Sequence, residues 1–207
     1  MGTRNLTIVK VDGKTKVAQY GQWDGYPTGQ GFTIADFIQN ELDLRKFKAA
    51  VRKLKWITSK DLENRWAECG ADDSGFVTMD VSEVFRHTYP FLSRDVGAGV
   101  LSIIQTGKYT DEKYDYKTGK TTKTIIEGLN VDRLKNDRAF IKDSLFCEWA
   151  YEIDLDKKTV KVYEGFQKLP NDKYGACKVV RTYKFKEFTR EAMEKLEKEL
   201  NDEEDCA

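Results

Sequence analysis

The chain has 207 residues, of which 40% are hydrophobic and 12% aromatic, enough to fill a hydrophobic core and to exclude global disorder. Lysine plus arginine balances aspartate plus glutamate at 35 each, so no overall charge directs the protein to nucleic acid. One histidine, His87, and four scattered cysteines (Cys69, Cys147, Cys177, Cys206) without CxxC spacing argue against a structural zinc site.

In chain order, Leu6 to Val11 and Lys14 to Tyr20 read as two strands joined by Asp12-Gly13, a two-residue hairpin signal. An uninterrupted ladder from that turn sets Val11 opposite Lys14, Ile8 opposite Val17, and Arg4 opposite Gly21. Thr3 and Arg4 then fall beside the start of a glycine-rich loop. A helix is expected from Thr33, with Asp36 three residues on and Ile34, Phe37, Ile38 and Leu42 on one face. Leu44, Phe47, Val51 and Leu54 continue as a second, basic helix. Thr58 with Asp61 marks another start, and Gly70 a stop. Residues 81–88 form a shorter helix ended by Pro90. Ser93 is the expected cap of a helix that runs through Ile104 to Gly107.

Residues 108–143 are polar and rich in lysine and threonine, and read as an exposed β-arm or insertion with a turn at Thr118-Gly119. From Leu145 to Leu155, apolar and polar residues alternate with the period of a half-buried strand. Val160 to Phe166 and Lys178 to Phe185 supply two more strands. Phe188, Met193, Leu196 and Leu200 outline a terminal amphipathic helix. The expected fold is α+β over residues 1–207 as one domain: an N-terminal β-hairpin, a central helical segment, then C-terminal antiparallel strands and a terminal helix around one sheet.

The residues that suggest chemistry are concentrated in Gly21-Gln22-Trp23-Asp24-Gly25-Tyr26-Pro27-Thr28-Gly29-Gln30-Gly31. Four glycines and a proline speak against a helix or a sheet interior, and the Trp, Tyr, Asp and Gln residues set the stretch apart from ordinary linkers. It is neither a Walker loop nor GxGxxG. Turn chemistry and aromatic core plugs would explain it without a ligand. Read functionally, the loop amides and Gln side chains bond a ligand, Trp23 or Tyr26 stacks on it, and Arg4 supplies charge for a phosphate or carboxylate.

Other features have plainer readings. The basic run Arg45, Lys46, Lys48, Arg52, Lys53 and Lys55 is interleaved with an apolar stripe and reads as a solvated helix face. Trp56 and Trp66 sit at core positions, and His87 has no Ser or Cys partner in the sequence. Asp72-Asp73-Ser74-Gly75 looks like part of a calcium loop, but Gly70 and Val81 at the first and twelfth positions exclude an EF-hand. Asn201-Asp202-Glu203-Glu204-Asp205 is an acidic tail. The longest apolar run, Gly97 to Ile104, is far shorter than the ~20 residues that cross a bilayer. With charges from Arg4 onward and Leu6 in place of the Ser or Thr of a myristoylation signal, the expectation is a reduced, cytoplasmic protein without metal or cofactor.

The segments Gly2-Thr3-Arg4-Asn5-Leu6-Thr7, Lys16-Val17-Ala18-Gln19-Tyr20 and Gly21 to Gly31 resemble a family of phage, prophage and fungal proteins that has no assigned activity. Those proteins carry an Asp-Gly-Tyr-Pro loop after an N-terminal hairpin. Glu148-Trp149-Ala150-Tyr151-Glu152-Ile153-Asp154 is similar to their C-terminal strand. The resemblance covers residues 2–32 and, more weakly, 147–166. It implies that residues 3–4 and 22–30 act together.

The leading expectation is a non-catalytic, phage-type accessory protein in the host cytoplasm. It holds a small anionic ligand, a nucleotide first, or a host partner through Arg4, Gln22, Trp23, Asp24, Tyr26 and Gln30. Antagonism of host defence follows from the genomes that such a family occupies. One alternative is a hydrolase of a nucleotide or amide, with Asp24 as acid or base and Thr3 or Tyr26 assisting; Thr3 with Asp24 superficially resembles the layout of N-terminal-nucleophile hydrolases, although removal of Met1 would leave Gly2 as the free amine. Another is a protein–protein inhibitor that acts through the basic helix or the 108–143 arm. Nucleic acid and membrane are the disfavoured partners.

Overall fold

A computed structural model describes residues 2–204 except 73, 75, 76, 116, 171 and 172. Asp205 of the acidic tail, Cys206, and Asp73 and Gly75 of the calcium-loop-like run therefore lie outside the described residues. The architecture is α+β. Its main sheet has five strands in the order β2-β1-β7-β8-β9, where β1 is Asn5–Val11, β2 Lys14–Gly21, β7 Trp149–Asp154, β8 Thr159–Glu164 and β9 Lys178–Lys184. Strand β1 runs parallel to β7, and every other neighbouring pair is antiparallel. The first and last thirds of the sequence thus meet at the centre of one sheet.

Period-two alternation sends the strand side chains to two cores. Val9, Val11, Val17, Tyr151, Ile153, Val160 and Val162 face the larger one. There they meet Ile34 and Ala35 of α1 (Phe32–Asp36), Phe47 and Val51 of α2 (Leu44–Lys53), Leu101 and Ile103 of α5 (Val100–Thr106), and Met193 and Leu196 of α6 (Arg190–Glu204). Leu6, Ile8, Ala150 and the adjoining Cys147 form a smaller core on the opposite face, covered by Phe140, Ile141, Tyr163 and Cys177.

The hairpin turn forms as expected: Asp12 and Gly13 both have positive φ, 51° and 70°, the geometry that twists with the strands. The register does not. A β-bulge between Val9 and Lys10 leaves Lys16 as the extra residue of β2. Val9 therefore pairs with Val17, Ile8 with Ala18, and Asn5, not Arg4, with Gly21. A one-residue slip exchanges the faces of a strand, and here it puts Asn5 at the root of the glycine-rich loop.

The second correction is to that loop. Only Gln22 to Tyr26 is irregular. Pro27–Gly31 forms a π-helical turn that runs into α1, and Phe37–Glu41 extends the helical run with a second π-helical turn. Helix thus begins six residues before Thr33. Pro27 stands at the start, where its missing N–H costs nothing.

Downstream, α2 is capped by Asp43, and α3 (Ser59–Glu68) by the Thr58–Asp61 capping box. Helix α4 spans Met79–Thr88, and Gly107 ends α5 in the left-handed conformation. Ser93 does not cap α5, which starts at Val100; its amide closes the 3-10 turn Pro90–Leu92, and its hydroxyl accepts from the Asp95 amide. Trp66 of α3 stacks on Phe85 of α4 with ring centroids 3.7 Å apart. The basic face of α2 clamps the hairpin turn: Arg52 bonds both Asp12 carboxylate oxygens at 2.8 and 2.9 Å, and Lys48 reaches Asp156 at 3.0 Å.

The 108–143 region contains a two-stranded arm, β4 (Tyr109–Asp115) and β5 (Lys120–Ile126), turned at Gly119. Beyond it the chain returns to the body. Strand β6 (Arg133–Leu134) pairs with β3 (Lys55–Trp56), and Asn136 and Asp137 cover the outer edge of β2. Strand β7 starts later than the alternation suggests, because Leu145 to Glu148 form a corner in which Leu145 and Phe146 are exposed.

At the β2 edge, the Tyr20 amide donates to the Asp137 carboxylate at 3.1 Å, and Tyr20 meets Phe140 edge to face. Burial pushes the Asp137 carboxyl above its ordinary value of 3.8, despite that bond and the nearby Lys135. The stability contributed by its protonated form is full below that ordinary value and is lost as pH rises through the raised one. Asp137→Asn keeps the acceptor without the charge. It should be more stable than the wild type at neutral pH, with the difference vanishing under acid conditions in urea melts; equal stability at both pH values would refute this.

Candidate functional site

The loop is built from backbone held by side chains. Asp24 has φ 52°, a conformation aspartate tolerates. Its carbonyl accepts from the Gln30 amide at 2.7 Å, and the Gly25 amide donates to the Thr3 carbonyl at 2.9 Å. Gly25 leaves no room for a side chain: a β-carbon there would lie 2.9 and 3.0 Å from the Thr3 and Arg4 carbonyl oxygens. The buried Asn5 amide donates to the Trp23 carbonyl at 3.0 Å. Beneath them the Tyr151 hydroxyl donates to the Gly25 carbonyl at 2.8 Å. Complete burial pushes that phenol well above its usual range.

Five of the six residues expected at the site divide between two sides of this frame. Gln22, Trp23 and Gln30 engage the 93–98 segment. The Gln22 amide donates to the Arg94 carbonyl, the Trp23 indole to Asp95 at 2.9 Å, and the Gln30 carboxamide accepts from the Ala98 amide at 2.6 Å. Gln22 also accepts from the Tyr20 hydroxyl at 2.6 Å. Asp24 accepts from the Tyr26 hydroxyl at 3.2 Å, and burial together with the Asp24 charge raises the Tyr26 phenol.

Arg4 goes to neither side. Its backbone amide and its Nε both donate to Glu148 Oε1 at 3.1 Å, and its guanidinium lies 4.9 Å from the centre of the Phe146 ring. Glu148 and Phe146 engage the guanidinium expected to face an anion. The parallel pairing of β1 with β7 places Arg4 beside Glu148, and the two charges neutralise each other.

Tyr26 and Thr3 do border a cleft, about 250 Å³ in volume, between the loop, the start of β7, the second half of α6 and the end of β8. Its other walls are Glu148, Trp149, Glu164, Phe166, Glu197, Leu200 and Asn201. Three carboxylates and three aromatic rings therefore face one space, and the described lining residues include no lysine or arginine. Glu197 also accepts from the Thr28 amide at 2.7 Å, which ties α6 to the first turn of the helical run. Phe166 has φ 54° and is 54% exposed. A bulky side chain in left-handed backbone is a costly conformation, of the kind that concentrates at functional sites.

Sequence reasoning missed Glu148, Trp149, Glu164, Phe166 and Glu197. The resemblance at Glu148-Trp149 is the one sequence signal that touched them. His87, on the far side of α4, approaches Asp111 of the β4–β5 arm at 3.6 Å in a small pocket of about 50 Å³. Among the described residues there is no cluster of three or more potential metal ligands, and no helix is long and apolar enough to cross a membrane. No protein-family model matches the chain, and no curated protein or solved structure matches it either.

Tyr151→Phe deletes the buried donor to Gly25 with little change of shape. It should cost about 1–3 kcal/mol, the penalty of an orphaned buried carbonyl. Gly25→Ala should cost more, because a new methyl would meet backbone rather than a movable side chain. Urea unfolding measures both, and a Tyr151→Phe protein as stable as the wild type would show that the bond does not hold the loop.

Proposed function

We propose that the protein is a non-catalytic binding protein whose cleft takes the cationic end of a ligand, an amine or guanidinium on a small molecule or on a partner's side chain. The observation that carries this reading is the wall composition: Glu148, Glu164 and Glu197 with Tyr26, Trp149 and Phe166 around about 250 Å³. Carboxylates stabilise a cation in a partly desolvated space, and aromatic faces add attraction without competing for its hydrogen bonds. Glu148 pairs with Arg4 and Glu197 accepts from the Thr28 amide, so the fold itself holds these carboxylates at the cleft.

The same charge disfavours the anionic, nucleotide-like ligand expected from the sequence. A phosphate in this cleft would face glutamates, with the one nearby guanidinium already engaged. Binding is favoured over the hydrolase reading because the polar groups around the loop hold backbone. Thr3 meets the loop through its carbonyl, and Asp24 accepts from Tyr26. In the phage setting that the family resemblance implies, such a cleft would capture a basic host metabolite or an exposed Arg or Lys of a host protein.

Isothermal titration with agmatine, spermidine and acetyl-arginine amide, against AMP and ATP, tests the reading. A cation should bind in a salt-sensitive manner, and Glu164→Gln should weaken it about tenfold, ~1.4 kcal/mol. Nucleotide binding without cation binding, or cation affinity indifferent to Glu164→Gln, would overturn it.

A further inference from the structure

On the smaller core, the corner before β7 and the segment before β9 bring two thiols together. Cys147 is fully buried, while Cys177 is partly exposed. The Cys177 thiol donates to the Cys147 carbonyl at 3.2 Å, and Cys147 Sγ lies 3.5 Å from the Trp149 carbonyl. The two cysteines thus adjoin within the smaller core. That contact lowers Cys177 and raises Cys147, so the more accessible sulfur is the better thiolate and the buried one keeps its proton. An accessible, activated thiol beside a second thiol is the arrangement that disulfide exchange requires.

The geometry points to Cys147 and Cys177 as a redox modification site, a dithiol that closes to an intramolecular disulfide when it meets a low-molecular-weight disulfide such as oxidised glutathione. The Cys177 thiolate attacks one glutathione sulfur, forming a mixed disulfide and releasing the first glutathione as its thiolate. Cys147 gives up its proton to solvent and attacks the Cys177 sulfur. The Cys147–Cys177 bond forms, the mixed disulfide breaks, and the second glutathione leaves. Two protein thiols are oxidised as one glutathione disulfide is reduced to two glutathiones.

The bond would fasten the 144–148 corner to the start of β9. That corner is already tight: a β-carbon on Gly165 would lie 2.2 Å from the Cys147 carbonyl oxygen. It also carries Phe146 and Glu148, the two side chains that hold Arg4 beside the cleft. Oxidation would therefore act on the wall of the cleft, whatever the cleft binds.

The test uses the full chain with Cys69→Ser and Cys206→Ser, so that only this pair can react. After equilibration with oxidised glutathione, intact mass should fall by two hydrogen atoms with no adduct, both thiols should be lost to alkylation, and dithiothreitol should restore them. The oxidised form should melt higher, by roughly 5 °C, because the cross-link restricts the unfolded chain. Adding Cys147→Ser should leave a stable glutathione adduct on Cys177. A persistent adduct in the two-cysteine protein, or unreacted thiols in a protein whose circular dichroism shows it folded, would overturn the proposal.

Discussion

The hydrogen bond from the Tyr151 hydroxyl to the Gly25 carbonyl joins the centre of the sheet to the loop that closes over it. Tyr151 is fully buried and stands on β7, the strand that pairs in parallel with β1. Its ring fills the larger core while its hydroxyl satisfies a carbonyl that would otherwise be desolvated without a partner. The same hydroxyl lies 3.4 Å from the place a β-carbon on Gly31 would occupy, and Met193 of α6 closes on that glycine from another side. Loop, π-helical turn, central strand and terminal helix thus converge on one phenol. Moving any of them would expose or orphan a polar group in the core, so the geometry of the cleft beside them is set by the core.

This accounts for the unusual composition of the loop. Its glycines are required where backbone passes close to backbone, as at Gly25 under the Thr3 and Arg4 carbonyls and at Gly29 against Asp24. Its large side chains do structural work of another kind. Trp23 and Gln30 reach across to Asp95 and Ala98, and in doing so anchor the 93–98 turn that leads into α5. Residue types suited to ligand recognition are equally suited to tying one irregular segment to another. Of the six residues expected at the site, Tyr26 alone lines the cleft.

Much of the fold was legible because its signals are local. Alternation marked β7, the Thr58–Asp61 box marked α3, Gly107 marked the end of α5, and Asp12-Gly13 marked the hairpin. Two failures have physical causes. The bulge at Val9 and Lys10 has no residue signature in this hairpin, and it moved Asn5 into the place assigned to Arg4. The π-helical turn at Pro27–Gly31 contradicts the propensity of its glycines; packing against Tyr151 and Met193 holds those residues helical where their own preferences would not. The site was less legible than the fold, since its walls come from segments far apart in the chain. Glu148, Glu164 and Glu197 sit on two strand ends and a helix, at positions that in sequence look like solvated charges.

The sign of the site follows from the same topology. Arg4 and Glu148 are distant in sequence, yet the parallel β1–β7 pairing sets them side by side, with the Arg4 carbonyl accepting from the Glu148 and Trp149 amides at 3.2 Å. Glu148 accepts from both the Arg4 backbone amide and its Nε, and Phe146 lies against the guanidinium; this costs little further entropy, because backbone pairing has already fixed both ends. The pair therefore forms before any ligand arrives, and the Arg4 guanidinium is engaged within the fold. Glu197 is held by the Thr28 amide at the cleft's rim, and Glu164 stands at the end of β8. Residue identity placed an arginine at the mouth of the loop; the pairing of β1 with β7 set it against Glu148, a partner that no local sequence signal announces.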